Sequence, residues 1–101
     1  MEGIEVVVLL DVGGLEDKAK FEKHVKKEGF KAIEGEDFVY TAHSTTTTFS
    51  TKAYILEVFR KGLQKNSFND ANLIFLLNET PYPTYYYDKN TNDFELVQVE
   101  K

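Results

Sequence analysis

The chain has 101 residues, enough for one domain around a single core, and its 42% hydrophobic and 29% charged content excludes a disordered or fibrous polypeptide. It has no cysteine, which excludes disulfides, thiolate metal sites and thiol nucleophiles and suits a reducing, cytoplasmic setting. The formal charge of −5 opposes nonspecific attraction to nucleic acid unless the cations cluster on one face.

Met1-Glu2-Gly3-Ile4-Glu5 places carboxylates where a secretory leader carries positive charge, and the apolar run at 6–10 is too short to span a bilayer, so no export is expected. Residues 4–12, rich in β-branched side chains, read as a central strand buried on both faces. Gly13-Gly14 ends that strand. Residues 15–28 then read as a helix, with Glu16 and Asp17 in the first turn, Lys26 and Lys27 in the last, and Gly29 as a left-handed cap.

Short apolar stretches at 30–33 and 38–42 flank Glu34-Gly35-Glu36-Asp37 and predict a hairpin. The run Thr45 to Thr48 suits an extended edge or loop, with Ser50 or Thr51 capping a helix over 51–65 whose stripe is Ile55, Phe59, Gly62 and Leu63. Residues 73–77 form a second buried run that belongs beside the first strand. Pro81 and Pro83 predict a loop or exposed edge at 80–83. Tyr85-Tyr86-Tyr87 and residues 94–99, joined by a polar turn, predict a terminal hairpin.

The resulting order is an α+β domain spanning 1–101. It fits a ferredoxin-like βαββαβ sandwich, with two helices on one face of an antiparallel sheet and an extra C-terminal β-hairpin.

Most local patterns for chemistry are incomplete. Asp88-x-Asn90-x-Asn92 opens like a calcium loop, but Asp93 stands where the turn glycine belongs and Val99 where the bidentate glutamate belongs. His24 sits among lysines, and His43 beside Ser44 lacks a nucleophile elbow. Gly13-Gly14 lacks both the Rossmann spacing and a Walker lysine. No resident cofactor is expected from these residues.

Two features carry binding or chemistry. Tyr82, Tyr85, Tyr86 and Tyr87 concentrate aromatic surface near the C-terminus, and alternation along a strand sends at least one of three consecutive rings away from the core, as an anchor for a protein partner or a second copy. Asp11 lies near the end of a buried strand before Gly13-Gly14, either accepting hydrogen bonds from the strand-to-helix turn or emerging as a ligand at the sheet's rim.

The pattern VVVLLDVGG, followed by an amphipathic helix ending in Glu28-Gly29-Phe30, a strand pair and a second helix, resembles the small CRISPR-associated metal-dependent nucleases and their VapD-like ribonuclease relatives, and the GhoS-type ribonucleases share that fold. Over residues 4–77 the resemblance implies a ferredoxin-like fold, and at Asp11 a catalytic carboxylate paired across a dimer to hold magnesium for RNA cleavage. Two functions follow. One is a cytoplasmic interaction or regulatory domain without a catalytic site, acting through the tyrosine-rich hairpin as a dimer or as an acidic partner of a basic protein. The other is a metal-dependent endoribonuclease using Asp11.

Overall fold

In the computed structural model, residues 3–96 are described, and the chain runs through β1 (Ile4–Gly13), α1 (Lys18–Lys27), β2 (Lys31–Ala32), β3 (Val39–Ser44), α2 (Thr48–Gln64), β4 (Asp70–Leu77), β5 (Thr80–Pro81), β6 (Tyr85–Asp88) and β7 (Asp93–Leu96). The class is α+β, as expected. All strand pairs are antiparallel and build one open seven-stranded sheet, ordered β2-β3-β1-β4-β6-β7 with β5 also on β4. β1 and β4 are adjacent and central, in a register that sets Val8 opposite Phe75 and Leu10 opposite Leu73.

The sheet departs from a bare four-stranded βαββαβ order at β4, which is no edge strand because β5 and β6 pair along its outer side. Of the two outcomes expected at 80–83, a loop or an exposed edge, Thr80 and Pro81 take the second, as an exposed edge strand on β4. Asn78 and Glu79 both take positive φ, 51° and 69°, and join Leu77 to its partner Thr80 in a two-residue hairpin turn of the type I′ class, whose twist matches that of the flanking strands. Asn78 also latches the turn to β1. Its backbone N–H donates to the Glu5 carbonyl at 2.8 Å, and its Oδ1 accepts from the Glu5 N–H at 2.9 Å. The strand expected over 94–99 is described as far as Leu96, and Val97 to Val99 lie outside the described residues.

Both helices are shaped by their ends. The Asp17 carboxylate accepts from the Lys20 N–H at 3.0 Å, which makes Asp17 the cap of α1 rather than a first-turn residue. At the other end Gly29 takes φ 100°, its N–H reaches the Lys26 carbonyl and the Phe30 N–H reaches the Val25 carbonyl. This is the paired Schellman pattern, and the two apolar residues at its ends, Phe30 and Val25, are both buried in the core. α2 begins three residues earlier than its hydrophobic stripe suggests, because Thr47, not Ser50 or Thr51, is the cap and accepts from the Ser50 N–H at 3.1 Å.

The core joins one face of the sheet to both helices. Val6, Val8, Leu10, Tyr40, Leu73, Phe75 and Leu77 alternate inward along their strands, and Phe21, Val25, Ile55, Phe59 and Leu63 close over them. Phe59 is its hub, with ring centroids 5.8 Å from Phe21, 5.1 Å from Phe30 and 5.7 Å from Tyr40. Removing such a ring typically costs about 3–5 kcal/mol. Gly62 lets the helices approach: a Cβ there would lie 2.9 Å from Phe21 Cε1 and 3.0 Å from His24 Cδ2.

Candidate functional site

Because strand side chains alternate, the residues between the core positions point to the opposite face, which carries no helix. Val7, Leu9, Val39, Ile74 and Leu76 meet there in register, Leu9 between Val39 and Ile74, and Val7 beside Leu76. Leu9 remains 38% exposed, and the others are half-buried only by their neighbours in the sheet. This corrects the expectation that the first strand is buried on both faces: its apolar run is continuous, but the chain's own helices cover one side.

Tyr86 adds to this face. It pairs with Asn72 on one side and Glu95 on the other, and is 39% exposed. The other three tyrosines turn the opposite way. Tyr87 is 8% exposed, packed edge-on against Phe68 at 5.1 Å and Phe94 at 5.4 Å. Tyr82 and Tyr85 stack on Phe75, with centroids 5.4 and 5.9 Å away. Of the four rings singled out in sequence, Tyr86 is thus the one on the helix-free face.

Asp11 shares that face and is exposed, opposite Asn72 of β4. It lies two residues inside the strand, since β1 continues to Gly13, so its carboxylate leaves the sheet side-on instead of bending into the turn. The turn's amides go elsewhere: Glu16 N–H to the Ser67 carbonyl at 2.8 Å and Asp17 N–H to Asn66 Oδ1 at 2.8 Å. The turn-acceptor role considered for Asp11 is filled by Asn66 and Ser67. With Glu5, Asp70 and Glu95, Asp11 gives the apolar centre an acidic rim. On that rim His43 Nδ1 lies 2.8 Å from Glu5 Oε2. Among the described residues, no group of three His, Cys, Asp or Glu is placed to hold a metal ion.

The remaining candidates have structural roles. Gly14 takes φ 69° where any side chain would collide with Asn69, and Gly13 faces the Asp70 carboxylate, so this turn presents no phosphate cradle. Thr51 Oγ1 donates to the Thr47 carbonyl at 2.8 Å, and Ser44 Oγ lies 2.7 Å from Thr51 Oγ1, so these hydroxyls tie β3 to the start of α2. Asp88 Oδ1 accepts from the Asn90 N–H at 2.8 Å and its carbonyl accepts from the Asn92 N–H at 2.7 Å, a polar hairpin turn. Burial, with Glu22 beside it, pushes the Tyr40 phenol well above the usual tyrosine range. Its O–H donates to Glu22 Oε2 at 3.2 Å, a contact inside the fold.

No family model, curated protein or solved structure matches this chain. No helix among the described residues is long and apolar enough to cross a membrane.

Sequence reasoning found Tyr86 and Asp11 but missed Val7, Leu9, Val39, Ile74 and Leu76 as surface. The available signal was that both central runs are apolar at odd and even positions alike, whereas two helices on one side can cover only one parity.

Proposed function

We propose that this chain is a noncatalytic protein-interaction domain built on a ferredoxin-like unit, and that it docks a partner on the helix-free face of its sheet. The observation that carries this reading is the uncovered apolar centre formed by Val7, Leu9, Val39, Ile74 and Leu76. Strands that are apolar on both sides belong in sheets covered on both sides, and here the second layer is not supplied by residues 3–96. The ferredoxin-like assignment is supported by the four inner strands, β2-β3-β1-β4, with both helices on one face.

The rim selects the partner. Glu5, Asp11, Asp70 and Glu95 favour an apolar surface edged by lysine and arginine, because opposite charges across an interface speed encounter and fix its register. A second copy docking the same face would bring these carboxylates together. The molecule is a slab of 40 × 38 × 23 Å, broad enough to offer the roughly 800 Å² per partner that specific interfaces bury.

A metal-dependent ribonuclease using Asp11 draws less support. A phosphate approaching Asp11 meets Asn72 and, one pair further along the same face, Asp70 instead of the cations it needs.

Affinity capture from extract of the source cells tests the proposal, using the wild type, Leu9→Glu and Ile74→Glu, with Lys61→Gln as a control on the helix layer. A basic protein held by the wild type and the control but lost by both sheet-face variants is the expected result. A captured set that ignores the sheet-face substitutions refutes it. Self-association in sedimentation that the same substitutions abolish would replace the basic partner with a second copy.

A further inference from the structure

The net charge of −5 conceals a segregation by layer. Nine of the 12 lysines and arginines lie on or cap the two helices, against four carboxylates there: Asp17, Glu22, Glu28 and Glu57. Each of those four is engaged. Asp17 caps α1, Glu22 accepts from the Tyr40 hydroxyl, Glu28 from the Tyr54 hydroxyl at 2.9 Å, and Glu57 pairs with Arg60 at 2.6 Å and Lys61 at 3.3 Å.

That leaves a run of uncompensated lysines. Lys20, Lys23 and Lys27 lie at i, i+3 and i+7 on one side of α1, and Lys65 faces them from the end of α2 around a concavity of about 220 Å³. Among the described residues none of the four is in an ion pair. Gly62 lies in the groove, where any side chain would meet Phe21 and His24. His24 is fixed at its wall, its Nε2–H donating to the Val58 carbonyl at 3.0 Å.

Local helix electrostatics does not account for this arrangement. The dipole favours Lys27 and Lys65 at helix C-terminal ends, but it opposes Lys20 in the first turn of α1. Like charges three and four residues apart on one helix repel. We propose that this groove binds a multiply charged phosphate anion, such as a free polyphosphate or the polyphosphate group of a nucleotide, gripped by Lys20, Lys23, Lys27 and Lys65. The volume is below the roughly 300–1,000 Å³ of sites for drug-sized ligands, which suits a compact anion. No phenylalanine or tyrosine lines the groove, and the one ring there, His24, is held by the Val58 carbonyl, so the site is built around the phosphates and not around a base. This site lies on the layer opposite the proposed docking face and does not depend on it.

Sodium tripolyphosphate and ATP, each titrated into the full chain at low salt and followed by amide NMR, test the proposal. Saturable shifts confined to the amides of Lys20, Lys23, His24, Lys27, Gly62 and Lys65 are expected. Affinity should fall about fivefold for each lysine changed to glutamine, the loss of one water-exposed charge pair. Lys61→Gln should leave it unchanged, and the unliganded variants should melt no lower than the wild type. Equal affinity for the two probes assigns the grip to phosphates alone, and tighter ATP binding with shifts confined to the same amides points to a nucleotide as the source. No saturation, or shifts spread equally over Lys31 and Lys52, would overturn the site. Tighter binding of a single-stranded oligonucleotide across a wider surface would also overturn the small-anion assignment.

Discussion

Replacing Glu79 with glycine should make the protein more stable, the opposite of what glycine does at most exposed positions. Glu79 holds φ 69° in the two-residue turn between β4 and β5. A left-handed conformation costs an L-residue about 1–2 kcal/mol, and glycine avoids that cost. Glycine also frees the unfolded chain, which takes back about 0.4–1 kcal/mol. The net gain lies between about 0 and 1.6 kcal/mol, centred at ~0.8 kcal/mol, or roughly 3–6 °C in melting temperature for a domain of this size. Asn78→Gly should go the other way. Asparagine already tolerates φ 51°, and its loss removes the Oδ1 contact with the Glu5 N–H, about 0.5–1.5 kcal/mol, besides the same unfolded-state cost. Urea unfolding followed by tyrosine fluorescence, in a chain with six tyrosines and no tryptophan, measures both. Destabilisation by Glu79→Gly, or the same sign at both positions, would refute the turn and with it the register that sets β5 against β4.

Three further outcomes follow from the packing and the charges. Gly62→Ala gains about 1 kcal/mol of helix propensity but forces a Cβ to 2.9 Å from the fully buried Phe21 ring, an overpacking cost of about 1–3 kcal/mol, so thermal melts should show a net loss. The folded Tyr40 phenol ionises well above its unfolded value of about 10, so its contribution is fully present below that pH and is lost as pH rises beyond it; Tyr40→Phe should flatten the fall in urea-measured stability above pH ~10. Asp11→Asn should change stability by no more than about 0.5 kcal/mol, because the carboxylate is exposed and the turn's amides are satisfied by Asn66 and Ser67. A magnesium-dependent rise in melting temperature that vanishes in Asp11→Asn would instead revive the ribonuclease reading.

Much of the fold was legible because local signals agreed with one another. The β-branched run at 4–12 and the apolar run at 73–77 are specified by their length and composition, the stripe Ile55-Phe59-Gly62-Leu63 by its helical period, and the structure places an element on each. Gly29 was legible as a helix stop because only a residue tolerating φ 100° closes the observed cap. The turn at Asn78-Glu79 was not, since glutamate is a poor signal for positive φ and the neighbouring prolines fit a loop as well as an exposed edge. Its conformation is imposed by the Glu5 latch, which comes from 73 residues away in sequence.

The candidate surfaces divide in the same way. Alternation alone determined that one of Tyr85, Tyr86 and Tyr87 points away from the core, but only the pairing of Tyr86 with Asn72 and Glu95 decided which. Composition determined a net charge of −5, and no one-dimensional reading could show the cations crowded onto the helices and carboxylates on the rim of the open sheet face, because that depends on which elements share a layer. Whether an apolar strand is covered on one side or two is likewise a property of the layers above and below it. The residues of β1 and β4 determined that both sides repel water; the packing of α1 and α2 on the same side decided that one remained open.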